Sequence, residues 1–213
     1  VNSKTSSITT LLFDWDGTVV NSAKPGLQAF EQSFAELGVY FDHEIYQAVY
    51  SPNWYSVYEA MGLPKEKWQM ADDLWVQYYG EQTAEPLPGA QQTISELNGK
   101  GYRLGVVSSG NERRVTRELN QLGLASFFET LVCHEHMQNK KPHPEGLETA
   151  MRLLACTSEV VCYVGDSPED IQMGKRAKVF TVGVRSDYPT SWKLQSHGPD
   201  ILIDSLSELL SHF

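Results

Sequence analysis

Two kinds of apolar pattern alternate along this chain. Short, nearly continuous apolar runs occur at Thr9 to Trp15, Tyr102 to Ser108, Thr130 to Cys133, Val160 to Val164, Val179 to Val184 and Ile201 to Ile203. Runs of this length with apolar residues on both faces predict strands covered on both sides, as in a parallel sheet. Between them, apolar positions three or four residues apart predict helices over Ala90 to Lys100, Glu112 to Leu122, Pro144 to Leu154, Pro168 to Ala177 and Ser205 to His212. End signals agree: Gly101 and Gly123 stand just past two of them, Asn111 suits an N-cap, and Ser167-Pro168-Glu169-Asp170 has the form of a capping box. Strand and helix in alternation predict an α/β fold with a Rossmann-like doubly wound parallel sheet.

The alternation is interrupted once. From Ser22 to about Glu85 the pattern is helical throughout, with Leu27, Phe30, Phe34 and Leu37 at turn spacing, then Tyr55, Tyr58 and Met61, then Leu74 and Tyr78. This stretch holds 13 of the 23 aromatic residues, so it can build a small core of its own, with Phe30, Phe34, Tyr46, Tyr58, Trp68, Trp75 and Tyr78 as candidates. It ends at Pro86-Leu87-Pro88-Gly89, a stiff hinge-like segment. The expected organisation is an α/β core of residues 1–20 and 86–213 with an inserted helical cap of residues 21–85.

Composition narrows the function. At 213 residues, with 41% hydrophobic and 21% charged residues, the chain reads as an ordinary globular protein. A net charge of −10 argues against nucleic acid as a partner. No apolar run approaches a membrane span, and Val1 to Thr10 lacks the apolar centre of a signal peptide. Cys133, Cys156 and Cys162 lack metal-ligand spacing and read as buried free thiols. A cytoplasmic protein is expected, monomeric by default, although a dimer is compatible with the same sequence.

Ligands of such sheets bind beyond the carboxyl ends of the strands, and chemistry-bearing residues collect there. The first strand runs into Asp14-Trp15-Asp16-Gly17-Thr18; if it ran straight on, both carboxylates would share a face. The second runs into Ser108-Ser109-Gly110-Asn111, small hydroxyls at a helix start. Lys140-Lys141-Pro142 precedes the third core helix, and Gly165-Asp166-Ser167-Pro168-Glu169-Asp170 follows the fourth strand. Acids at two strand ends suit a divalent cation; a hydroxyl and a lysine suit a phosphate. An EF-hand loop beginning at Asp14 is excluded, because its twelfth position is Pro25. His134-Glu135-His136 lacks a third zinc ligand and reads as a surface loop. Arg113, Arg114 and Arg117 read as a solvated helix face, and Lys24, Lys65 and Lys67 as solvated cap lysines.

With these motifs the chain resembles the haloacid dehalogenase superfamily, in its phosphoglycolate phosphatase-like and β-phosphoglucomutase-like branch with a helical cap. The resemblance covers almost the whole chain and rests on four motifs in order: Asp14-Trp15-Asp16-Gly17-Thr18, Val106-Val107-Ser108, Lys141-Pro142 and Gly165-Asp166-Ser167-x-x-Asp170. It implies that Asp14 is a nucleophile forming an aspartyl-phosphate and that Asp16 is the general acid and base, its main-chain carbonyl also on the metal. It implies that Ser108 and Lys141, with Ser109 beside them, hold the phosphoryl oxygens. Asp166 is implied as a ligand of Mg²⁺, and Asp170 as a ligand or a partner of one. The turn Ser51-Pro52-Asn53-Trp54 resembles the cap turn that selects the substrate, which makes Asn53 and Trp54 candidates. Two positions depart from the usual pattern: Asn21 stands where an Asp is common, and Ser108 where a Thr is common. True dehalogenases lack the second acid, so Asp16 points to phosphate chemistry. The implied activity is Mg²⁺-dependent hydrolysis of a small phosphorylated metabolite. A sugar-phosphate mutase of the β-phosphoglucomutase type is the alternative, and pyrophosphatase, phosphonatase or a ligand-binding protein with an inert site stand behind it.

Overall fold

The computed structural model describes residues 5–80 and 84–213. Six strands form one parallel sheet: β1 (Thr10–Phe13), β2 (Arg103–Val107), β3 (Phe128–Val132), β4 (Val161–Gly165), β5 (Phe180–Val184) and β6 (Ile201–Ile203). Their spatial order is β3-β2-β1-β4-β5-β6, so the winding reverses between β1 and β4. That junction is where the connections leave in opposite directions and open a crevice at the carboxyl ends. Every residue of β1, β4 and β5 is buried, which accounts for their unbroken apolar runs.

Four helices cover the sheet: α5 (Ala90–Gly99), α6 (Glu112–Gln121), α7 (Glu145–Leu153) and α8 (Pro168–Arg176). One core cluster joins Leu11, Phe13, Ile94, Val115 and Val182; the other, across the sheet, joins Leu12, Val107, Leu147, Tyr163 and Met173. Asn111 Oδ1 accepts from Arg114 N and opens α6. Ser167 and Asp170 exchange side-chain and backbone bonds as a capping box and open α8 behind Pro168. The expected last helix is a short 3₁₀ segment, Leu206–Ser211, capped by Ser205. Its buried residues Leu206 and Leu209 are three apart, which suits three residues per turn.

The interrupting stretch folds as α1 (Ala23–Glu36), α2 (His43–Val49), α3 (Tyr55–Ala60) and α4 (Trp68–Gly80) around a separate cluster of Phe30, Phe34, Phe41, Tyr46 and Tyr58. Of the two adjacent tyrosines in α4, Tyr79 is the buried one; Tyr78 is half-buried and donates to Glu36, a correction of one helix position. The chain enters and leaves this unit through a short ribbon: Asn21 N donates to Glu85 O at 2.8 Å, and Leu87 N to Val19 O at 2.9 Å. The three cysteines are free; Cys133 and Cys162 are buried and Cys156 half-buried. No helix among the described residues is long and apolar enough to cross a membrane.

Candidate active site

The first motif does not run straight on. β1 ends at Phe13, and Asp14 N extends its pairing once more by donating to Val164 O at 2.8 Å. The carbonyl of Trp15 then accepts from Thr18, Val19 and Val20, which folds the motif into a tight turn. Gly17 sits in that turn at φ +73°, and a Cβ there would lie 2.3 Å from Asp166 Oδ2. The turn separates the two acids: Asp14 faces one set of partners and Asp16 another.

Asp14, Lys141, Asp166 and Asp170, four charged side chains from three segments, are brought together. Lys141 Nζ lies 2.7 Å from Asp14 Oδ1 and 2.7 Å from Asp170 Oδ1. Asp170 also accepts from Tyr163 OH at 3.0 Å, and its second oxygen accepts from Ser167 N at 3.0 Å and Ser167 Oγ at 2.6 Å. Asp166 Oδ2 accepts from Ser186 Oγ at 2.6 Å. Asp14, Asp166 and Asp170 each offer an oxygen within 4.8 Å of the others, and all three are buried. The Asp16 carboxylate lies outside that cluster. Three carboxylates against one ammonium leave an excess of negative charge away from water. Burial, only partly offset by Lys141, pushes Asp14 up to about 7. Burial and the two neighbouring aspartates push Asp166 well above the usual carboxylate range. Hard oxygen donors with uncompensated charge, beside a glycine that leaves no room for a side chain, fit a magnesium-like cation.

Asp16 is held by a residue that its helix pattern had assigned to solvent. Arg114 is buried, with 4% of its side chain exposed, and is bidentate to Asp16 through Nη1 at 2.9 Å and Nη2 at 2.5 Å. Nη1 also reaches Glu118 Oε2 at 3.2 Å, and Glu118 accepts from Trp15 Nε1 at 2.7 Å. The guanidinium carbon lies 4.9 Å from the centre of the Tyr79 ring and 5.8 Å from that of Trp75, both on α4. Burial pushes Asp16 up, but the charge and hydrogen bonds of Arg114 outweigh it and hold the carboxyl below its ordinary value. Gly110 makes room for this arrangement, since a Cβ there would lie 2.3 Å from Arg114 Nη2. Arg117 is half-buried: its Nη2 lies 3.6 Å from Glu118 Oε1 and its Nη1 donates to Gly80 O at 3.3 Å. One helix face therefore carries Arg114, Val115, Glu118 and Leu119 inward. The signal in the sequence was Arg114 and Glu118 at i,i+4, in phase with two apolar residues.

A cavity of about 270 Å³ opens over these groups and is lined by Asp14, Asp16, Ser108, Ser109, Lys141 and Asp166. Ser108 Oγ accepts from Gly110 N at 2.9 Å, which shapes the loop. Ser109 Oγ is buried without a partner. Helix residues on the other side complete the lining. Of the two cap-turn candidates, Trp54 lines the cavity and Asn53 does not. Asn53 is held in the turn before α3, its N bonded to Ser51 Oγ and its carbonyl accepting from Ser56. The Trp54 indole donates to Asp72 at 2.7 Å, and Lys140 Nζ sits 4.2 Å from the Trp54 ring centre and 3.9 Å from that of Tyr55. His134, expected in a surface loop, lines the cavity and packs on Trp54 from a 3₁₀ turn, while His136 Nδ1 accepts from Cys133 N.

The chain is similar to known proteins over almost its whole length. The model of a family described as haloacid dehalogenase-like hydrolase matches residues 11–184. A pyrophosphatase PpaX of Listeria monocytogenes serotype 4b is 30% identical over 219 residues, covering 97% of both chains. A phosphoglycolate phosphatase of Salmonella typhi is 31% identical over 238 residues, covering 97% of this chain and 93% of its own. Among solved structures, a predicted phosphoglycolate phosphatase from Haemophilus somnus superposes with a TM-score of 0.86 at 20% identity, over 96% of this chain and 97% of the other. CbbY from Rhodobacter sphaeroides, solved with phosphate, superposes with a TM-score of 0.81 at 23% identity, over 96% and 98%.

Proposed function

We propose that this chain, which belongs to the haloacid dehalogenase-like hydrolase family, hydrolyses a small phosphate monoester through a covalent phosphoryl group on Asp14. The observation that carries the proposal is the segregation of the two acids. Asp14 sits with Lys141 in a buried, carboxylate-rich pocket, while Asp16 is turned aside toward Arg114 at the same cavity. This division supports one acid as the attacking group and the other as the one that moves protons.

In the first step, an oxygen of Asp14 bonds to phosphorus and the bond to the leaving alcohol breaks, with a proton passing from Asp16 to the alcohol oxygen. In the second, a water oxygen bonds to phosphorus, its proton passes to Asp16, and the Asp14–phosphorus bond breaks. Lys141, Ser108 and the unpartnered hydroxyl of Ser109 hold the phosphoryl oxygens. Asp14 and Asp166 would hold Mg²⁺, which supplies positive charge between the nucleophile and the phosphate. Both oxygens of Asp170 already accept hydrogen bonds, so its part is to orient Lys141 and the loop after β4. The helical unit of residues 21–85 acts as a cap, hinged at the Val19–Asn21 and Glu85–Leu87 ribbon, and its closure excludes water.

The test is phosphate release from p-nitrophenyl phosphate with Mg²⁺. Asp14→Asn, nearly isosteric, reduces release to the background of the reagent. Wild-type rates from that variant would rule out the mechanism.

A further inference from the structure

The cavity wall that faces the phosphate pocket is mostly aromatic. Its described cap residues include Phe30, Tyr46, Tyr50, Tyr55, Tyr58 and Trp75, and among them there is no lysine, arginine or histidine. The charged groups that this wall does contribute are carboxylates, Asp72 and Asp73. Asp72 fixes the rings: it accepts from Trp54 Nε1 at 2.7 Å and from the hydroxyls of Tyr55 and Tyr58 at 3.0 Å each. From the core side Tyr188 stacks on Tyr50 with ring centres 5.0 Å apart.

The cations at the cavity are already engaged. Lys141 is divided between Asp14 and Asp170. Arg114 is bidentate to Asp16, bonded to Glu118 and covered by the Tyr79 ring. His134 is held below its ordinary value by burial and by Lys140, which keeps it neutral. Lys140 itself sits on the Trp54 and Tyr55 rings and is not part of the lining. A carboxylate or second phosphate on the leaving group would therefore lose its water facing rings and two aspartates, with no unengaged cation among the described lining residues to receive it. The volume, about 270 Å³, falls just below the usual range for small-molecule sites, about 300–1,000 Å³. It has room for a phosphoryl group and one small body.

Building on the hydrolase reading above, we propose that the substrate is a small phosphate monoester whose leaving alcohol carries one aromatic or apolar body and no second anionic group. The aromatic wall supplies flat apolar contact, and Asp72 with Asp73 turns away a second anion. The inference separates this chain from the substrates that its relatives' names record, since both phosphoglycolate and pyrophosphate carry a second anionic group.

The test uses a matched pair, benzyl phosphate and its 4-carboxylate, whose alcohols have similar leaving ability and differ by one distant charge. With Mg²⁺ and the full chain, kcat/KM for benzyl phosphate exceeds that for the carboxylate by about tenfold or more, the effect of an unpaired buried charge. It also exceeds the values for 2-phosphoglycolate and pyrophosphate. The second measurement is binding of the non-hydrolysable benzylphosphonate and its 4-carboxylate, followed by the fluorescence of the tryptophans that line the cavity, Trp54 and Trp75. The same order of affinity is expected. Equal or better turnover and binding of the carboxylated compounds would overturn the substrate class while leaving the hydrolase reading intact. Binding preference for the uncharged ring without phosphate release from any ester would overturn the hydrolase reading and support the pocket inference.

Discussion

Replacing Arg114 with methionine removes the cation from a cluster in which Arg114 and Glu118 are buried and Asp16 is 24% exposed. Asp16 loses two hydrogen bonds, at 2.9 and 2.5 Å, and Glu118, whose side chain is fully buried, keeps Trp15 Nε1 at 2.7 Å and the more distant Arg117 Nη2 at 3.6 Å. Leaving one partner of a buried ion pair uncompensated costs about 3–5 kcal/mol. The ring contact with Tyr79 adds roughly 0.5–1 kcal/mol, part of which methionine restores by packing. For a chain of this size, each kcal/mol lowers Tm by about 2–4 °C, so the variant should melt some 6–20 °C below the parent. Thermal and urea unfolding measure this directly. Glu118→Gln added to Arg114→Met removes the stranded charge and recovers a large part of the loss. The pH profile gives an independent readout. Arg114 holds Asp16 below its ordinary value, so without it Asp16 keeps its proton to higher pH. The limb of kcat/KM that follows loss of that proton moves upward in pH. A loss of stability under about 1 kcal/mol, with an unmoved limb, would refute the buried-cluster reasoning, since that is the range of a solvated pair.

Three further outcomes are expected. Lys141→Met leaves Asp14 and Asp170 unpaired in the interior, so it lowers stability by about 3–5 kcal/mol and kcat by about a hundredfold or more, checked by urea unfolding and steady-state kinetics. Gly17→Ala places a Cβ at positive φ and 2.3 Å from Asp166 Oδ2; it costs about 1–2 kcal/mol and raises the Mg²⁺ concentration needed for half-maximal activity in a metal titration. Mg²⁺ raises Tm more at pH 8 than at pH 6 in differential scanning calorimetry. The sign follows from Asp14: its folded-state value, raised to about 7, makes the metal-free protein lose stability as pH rises through that value, and a cation relieves the repulsion that remains.

The chain's own pattern carried most of the frame. Strands buried on both faces are unbroken apolar runs, so β1, β4 and β5 were visible to within one or two residues. The capping box at Ser167 and Asp170 is a local device and was legible for that reason. Contacts between distant segments were not. Arg114 is buried because Asp16, 98 residues away, and Glu118 neutralise it, and no local pattern reports a partner that distant. Gly17 marked a turn after Asp14 and Asp16, but the different partners to which that turn sends the two carboxylates lie in distant segments. Tyr78 and Tyr79 differ by a single helix position, finer than the phase of an aromatic-rich stretch can resolve. Asn53 was placed by motif likeness, and the turn's own hydrogen bonds hold it outside the cavity wall that Trp54 joins.

The central claim is that Asp14 carries the phosphoryl group. It is tested most directly by quenching the enzyme during turnover with Mg²⁺ and treating it with borohydride, which reduces an acyl phosphate to an alcohol. Peptide mass mapping should then find homoserine at position 14 and unmodified aspartate at positions 16, 166 and 170. Aspartate retained at position 14 under conditions where phosphate is being released, or homoserine at position 16 instead, would contradict the account.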